Sequence, residues 1–143
     1  DDIEHNSEKL LDLLLTDILS REEFQSYTHM HQYSLRDLIP DNEVLSKDEL
    51  RYARNENTHV DFLLYSKISK KPILAIEVDG YEFHKEGTKQ HERDKIKNSI
   101  FEKIGLPYLR LGTQESGEEE RIISALNEIQ TDYDASKYRE IKI

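Results

Sequence analysis

Hydrophobic positions recur at two spacings along this chain, and the switches between them predict its elements. Over 7–19, Leu10, Leu11, Leu13, Leu14, Ile18 and Leu19 form a broad apolar stripe at helical spacing, with Asn6 or Ser7 able to cap it. Over 25–33, Tyr27, His29, His31 and Tyr33 alternate as on a strand. Residues 35–39 run into the turn Pro40-Asp41-Asn42. Ser46-Lys47-Asp48-Glu49 fits the reciprocal capping pattern and predicts a short helix to about Arg54, broken by Asn55-Glu56-Asn57. Residues 59–65 read as a strand, and 66–71 as a polar link to the apolar run that starts at Ile73. So short a link makes the two strands an antiparallel hairpin.

Thr88 can cap a further helix with Ile96, Ile100, Phe101 and Ile104 on one side; Gly105 stops it and Pro107 prevents its continuation. A short strand follows over 108–111. Ser116-Gly117-Glu118-Glu119 repeats the capping pattern before a helix carrying Ile122, Ile123, Leu126 and Ile129. Beyond Thr131 the periodicity fades, which predicts a polar tail over 132–143. The order is helix, strand, short helix, two strands, helix, strand, helix. It predicts one mixed α/β domain over 1–143 with its core at about 7–130.

The stretch Ile73-Leu74-Ala75-Ile76-Glu77-Val78-Asp79-Gly80 carries the chemistry. Strand residues alternate in facing, so Ile73, Ala75, Glu77 and Asp79 should share one face and Leu74, Ile76 and Val78 the other. Two acids closing an otherwise apolar strand point to something there that needs negative charge, and a metal ion is the natural candidate. Gly80 lets the chain turn away. With a link of about five residues, Asp61 falls opposite Glu77, where Cβ atoms lie roughly 4.5–5.5 Å apart. Two acids so close repel, and a divalent cation removes that conflict. The bland alternative is that Asp61 and Asp79 merely end strands at the solvent.

On the following helix, Arg93 and Lys97 are four apart and share a face beside Ile96 and Ile100. Lys97 could steady an attacking water or transition-state charge, and Arg93 could hold a phosphate. Equally, both could be solvated and paired with Glu92, Asp94 or Glu86. His84 and His91 flank this region as candidate acid, base or ligand. His29 and His31 have strand spacing suited to a metal, although such residues are more often surface positions. Glu8, in the first turn of the first helix, is either a site acid or a complement to the helix dipole.

Composition narrows the partners. The chain has 30 Asp and Glu against 20 Lys and Arg, a net charge of −10, which argues against a generally basic nucleic-acid surface. The charge is uneven, however. Residues 67–103 hold nine basic and seven acidic side chains, so the segment with the paired acids is relatively basic. With no cysteine, any metal must be held by oxygen or imidazole. The sequence has no apolar run of spanning length and no signal-peptide pattern, so no membrane partner and a soluble, cytoplasmic location are expected. The chain opens on Asp1 without an initiator Met, which suggests a piece of a longer protein; processing or an incomplete chain would look the same.

Taken together, Asp61-Phe62, Glu77-Val78-Asp79-Gly80, His84, Gln90-x-x-Arg93-Asp94-x-x-Lys97 and Gly105-Leu106-Pro107-x-Leu109-Arg110-Leu111 resemble the restriction-endonuclease-like PD-(D/E)XK superfamily. Very-short-patch-repair-type nuclease domains and the C-terminal domains of superfamily 1 helicase-like proteins are the most similar members. The resemblance covers about 7–130. It implies a mixed central sheet flanked by helices, with a metal site where the hairpin strands splay. It maps the first essential aspartate to Asp61, the acid of the second strand to Glu77 and an assisting helix acid to Glu8. The lysine that this pattern places two residues after the second acid is replaced by Asp79, and Lys97 is the candidate to take over its role from the helix.

The resemblance implies a Mg²⁺- or Mn²⁺-dependent deoxyribonuclease. Asp61, Glu77, Asp79 and Lys97 would be its catalytic residues; Asp61, Glu77, Asp79 and Glu8 would surround the metal. Arg93, Gln90 and His84 would meet the DNA. It also implies, as a partner, the remainder of a longer helicase-like chain or an ATP-driven protein. These 143 residues contain no G-x-x-x-x-G-K-[ST] loop and so no P-loop motor. The alternative is a catalytically inactive nuclease fold that binds nucleic acid or protein.

Overall fold

The computed structural model describes residues 2–41, 44–79, 87–112 and 116–142. A four-stranded mixed sheet lies between two helical layers. Its strands are β1 (Tyr27–Ser34), β2 (His59–Ser66), β3 (Pro72–Asp79) and β4 (Tyr108–Gly112), in the order β1-β2-β3-β4. The first three pair antiparallel and β4 runs parallel to β3. The helices are α1 (Asp2–Leu19), α2 (Lys47–Arg54), α3 (Lys89–Ile104) and α4 (Glu118–Lys142). The parallel pair requires a crossover between its strands, and α3 supplies it.

One layer packs α1 and α4 on the sheet through Leu11, Leu15, Ile18, Ile122 and Leu126 against Phe62, Leu64, Leu74, Ile76 and Val78. The other packs α2 and α3 through Ala53, Ile100 and Phe101 against Val60, Leu63 and Ala75. Each such fully buried aliphatic or aromatic side chain contributes roughly 1.5–3 kcal/mol. The helix signals take their expected form. Ser46 and Glu49 form the reciprocal cap of α2, and the Thr88 hydroxyl accepts from the His91 N–H at the start of α3. Gly105 ends α3 with φ of 75°, while the Leu106 N–H donates to Phe101 O at 2.9 Å.

Three features depart from the sequence pattern. First, α4 continues to Lys142 where a polar tail was expected. Residues 131–134 are all exposed, so this part of the helix buries no apolar face that periodicity could reveal. Second, Ile73 packs with the α1 and α4 layer rather than sharing a side with Ala75. The β2–β3 register shifts between Leu64 and Tyr65, and an irregularity there breaks strict alternation. Third, Val60 faces the α2 and α3 layer while Phe62 faces the opposite one. The alternation of β2 therefore breaks at Asp61.

Candidate metal centre and its electrostatics

That break creates the site. The β2–β3 pairing runs from Tyr65↔Pro72 to Phe62↔Ile76 and ends there. Continuing it by one step sets Asp61 opposite Glu77, as the hairpin spacing predicts. Beyond this point side chains take over from the ladder. The Asp61 N–H donates to Glu77 Oε2 at 2.8 Å, and the Val78 N–H donates to Asp61 Oδ2 at 2.8 Å. Each carboxylate thus braces the other strand's backbone, which holds both acids at the fork.

Lys97 reaches this pair from α3. Its ammonium donates to Glu77 Oε1 and, at 2.5 Å, to the His59 carbonyl. Glu77 and Lys97 are both buried, with side-chain exposures of 4% and 11%. Burial works against the Lys97 charge, but Glu77, by charge and hydrogen bond, together with Tyr52 and Asp61 outweighs it and the pKa is raised, so Lys97 is a cation at neutral pH. Among the described residues no cationic side chain bonds Asp61 directly. Burial and then the Glu77 charge push its carboxyl up to about 7, opposed by the Val78 N–H and Lys97. Glu8, on α1, adds to the repulsion. Among the described residues, three acids (Glu8, Asp61 and Glu77) thus gather around the Lys97 ammonium.

The other residues expected at the site fall into three groups. Glu8 joins it: its Oε1 accepts from Gln32 Nε2 at 2.8 Å, and the same amide lies 3.4 Å from Asp61 Oδ1. Asp79 is drawn to the far side of β3, where Arg110 Nη1 donates to its Oδ1 at 3.0 Å. Gln90 is beside this second group, donating to Asp94 Oδ1 at 3.2 Å. Arg93 is exposed on α3, in contrast to Lys97 one turn later, and its nearest described partner is Gln90 at 3.5 Å. His84 and Gly80 lie outside the described residues.

Both strand histidines meet acids of α1. His29 Nε2 is 2.8 Å from Asp12 Oδ1, and His31 Nε2 is 3.1 Å from Glu8 Oε1. Three site neighbours were not singled out from the sequence. Gln32 carries no motif. Tyr52 of α2 lies in the field of Lys97 and Glu77, and burial raises its pKa. Arg110 appeared only within a motif; its pairing in register with Glu77 depends on the parallel crossover.

The donor set suits a hard divalent cation. Asp61, Glu77 and Glu8 offer carboxylate oxygens, and a cation beside Asp61 would favour the charged form that burial and Glu77 disfavour. Among the described residues no three His, Asp or Glu side chains are gathered closely enough to form a metal cage alone. Mg²⁺ commonly needs only one or two carboxylates, with waters and substrate oxygens completing its shell.

Family comparison places the whole of this arrangement in one unit. The DUF2726 profile, described as "Protein of unknown function (DUF2726)", matches residues 6–129. The chain belongs to that family. The match spans α1 through most of α4, so every described site residue of this DUF2726 domain lies inside it. No curated protein and no solved structure gave a significant match. Among the described residues no helix is long and apolar enough to cross a membrane.

Proposed function

We propose that this DUF2726 domain is a Mg²⁺- or Mn²⁺-dependent deoxyribonuclease. The observation that carries the reading is the splayed fork of β2 and β3, where Asp61 and Glu77 face each other and Lys97 enters from α3. The pattern of the resembling superfamily needs a lysine beside its second acid, and this chain has Asp79 at that place. Lys97 offers the missing ammonium from a different element.

Asp61 and Glu77 would hold the cation, with Glu8 assisting through water. The cation, when bound, lowers the pKa of a water and offsets charge on the phosphate. Lys97, anchored by Glu77 and the His59 carbonyl, is placed to steady the attacking water or the charge of the transition state. Arg93, exposed one turn earlier, would meet the phosphate backbone; Gln90 and His84 complete the proposed contacts. Asp79 enters the reading through Arg110, as a brace for the strand end. With a net charge of −10, the domain would owe much of its duplex affinity to an ATP-driven partner or the rest of a longer helicase-like chain. A cytoplasmic DNA-processing or defence role fits this reading.

A second reading has support in Asp79, which stands where the pattern expects a lysine and is paired with Arg110 instead: an inactive nuclease fold that binds nucleic acid or protein. One experiment separates the two. The domain is incubated with single-stranded and duplex DNA in Mg²⁺, Mn²⁺ or EDTA, beside Asp61→Ala and Glu77→Ala. The nuclease reading expects cleavage that EDTA and each substitution abolish. Cleavage indifferent to all three would sink the proposed site. No cleavage and no calorimetric metal binding would favour the second reading.

A further inference from the structure

Gln32 lies within β1, yet its φ is 55°, in the left-handed region that side chains other than glycine rarely adopt. Lys70 shares this property among the described non-glycine residues, but it sits in the tight β2–β3 turn, where its N–H donates to Ser66 O at 2.9 Å. A turn explains Lys70. None explains Gln32. A left-handed residue inside a strand persists only where the surroundings over-determine it, and such positions concentrate at functional sites.

The strand pairing tells the same story. The β1–β2 ladder steps from His31↔Phe62 to Tyr33↔Val60, passing over Gln32 and Asp61. Both residues leave the ladder at one point, and their side chains meet there. The Gln32 amide nitrogen donates to Glu8 Oε1 at 2.8 Å and lies 3.4 Å from Asp61 Oδ1. An ionised carboxylate only accepts, so the amide presents its nitrogen to Glu8 Oε1, its closer neighbour. A neutral donor thus stands between acids contributed by α1 and β2.

We propose that Gln32 is a positioning residue of the cation site. Without a cation its amide nitrogen holds Glu8 beside Asp61; with one, its amide oxygen joins the donor set. The inference rests on reading Asp61 and Glu77 as a cation site. Glutamine suits both states because one terminal group carries a donor and an acceptor, exchanged by rotation about a single bond. Amide oxygens are ordinary ligands of hard cations. A lysine here would instead be a fixed counter-charge competing with the cation, and a glutamate would add repulsion when no cation is bound.

The test is calorimetric titration with Mn²⁺ at pH 8, with urea denaturation in EDTA, on the wild type, Gln32→Gly, Gln32→Glu and Asp61→Ala. Glycine takes the left-handed backbone without steric penalty, so Gln32→Gly keeps the wild-type urea midpoint or exceeds it. Its Mn²⁺ affinity falls about tenfold, the scale of losing a partner that orients metal ligands. Gln32→Glu tightens Mn²⁺ binding and lowers the midpoint in EDTA, because a third carboxylate then faces the other two. If the wild type binds Mn²⁺, Asp61→Ala does not, and both Gln32 variants match the wild type, this inference is overturned while the cation site stands. A wild type that binds no Mn²⁺ overturns both.

Discussion

Two charged triads stand on either side of the end of β3, built from matching parts. Asp61, Glu77 and Lys97 form one; Asp79, Asp94 and Arg110 form the other. Each takes one residue from β3, one from α3 and one from a neighbouring strand, and each sets two acids against one base. Their geometries differ. The planar guanidinium of Arg110 serves the second triad from several nitrogens at once: Asp79 Oδ1 at 3.0 Å, Asp94 Oδ1 at 3.5 Å, Asn98 Oδ1 at 2.7 Å and Asp94 O at 3.3 Å. The ammonium of Lys97 is spent on Glu77 and a backbone carbonyl, and Asp61 is pushed up to about 7. Equal formal charge therefore gives one braced cluster and one in which Asp61 is held well above its ordinary pKa.

The sharpest way to break this comparison is to remove acids singly from the first triad. Glu77→Ala strands the buried Lys97 charge and should lower stability by about 3–5 kcal/mol in urea denaturation. Asp61→Asn should do the reverse in EDTA. Its amide oxygen can still accept from the Val78 N–H, and the substitution removes a carboxylate raised from 3.8 to about 7. At 1.36 kcal/mol per pKa unit that penalty, from burial first and the Glu77 charge second, is at most about 4 kcal/mol, and relaxation should leave a gain of about 2 kcal/mol at pH 8. Loss of stability in both variants would show that the first triad is only a structural brace.

Arg110→Met probes the other side. It removes the guanidinium shared by Asp79, which is about one-fifth exposed, and the buried Asp94, so a loss of about 1–2 kcal/mol is expected. Divalent-cation binding at Asp61 and Glu77 should be unchanged by calorimetry. A variant that loses cation binding as completely as Asp61→Ala would merge the two triads into one site.

The smallest effect belongs to a third cluster, between α2 and α3. Glu49 accepts from Lys103 at 2.7 Å, from the Ser99 hydroxyl at 2.6 Å and from the Ser46 N–H, which together hold its pKa at about 2 against an ordinary 4.5. Its stabilisation is fully present above pH 4.5 and is lost as pH falls toward 2. Glu49→Gln should therefore narrow the stability difference between pH 6 and pH 3, by about 1 kcal/mol in urea midpoints converted to free energy. An unchanged difference would show that the clasp between α2 and α3 carries no net charge effect.

Much of this was legible along the chain because it is local. The caps at Ser46 and Thr88, the stop at Gly105 and the hairpin link each act within a few residues, and the link length sets Asp61 against Glu77. The facing of β2 was not legible, because Val60 and Phe62 go to opposite layers through a break at Asp61 that no propensity marks. The division of acids was hidden for a related reason. Alternation puts Glu77 and Asp79 on one face, but their partners arrive through long-range register: Lys97 by way of α3 and Arg110 by way of the parallel strand. Gln32 gave no signal at all, since its role depends on a backbone angle.

The central claim is that Asp61 carries a charge meant for a cation. Between pH 3.8 and about 7 the folded protein holds the Asp61 proton that the unfolded chain releases, so in EDTA stability falls as pH rises through that window and stays low above it. The direct measurement is the urea midpoint of the wild type and Asp61→Asn at pH 5 and pH 8, in EDTA and in saturating Mg²⁺. The account predicts that Mg²⁺ restores the stability the wild type loses at pH 8 and does little for Asp61→Asn. A wild type indifferent to Mg²⁺ at pH 8, or an Asp61→Asn variant that gains as much, would contradict it.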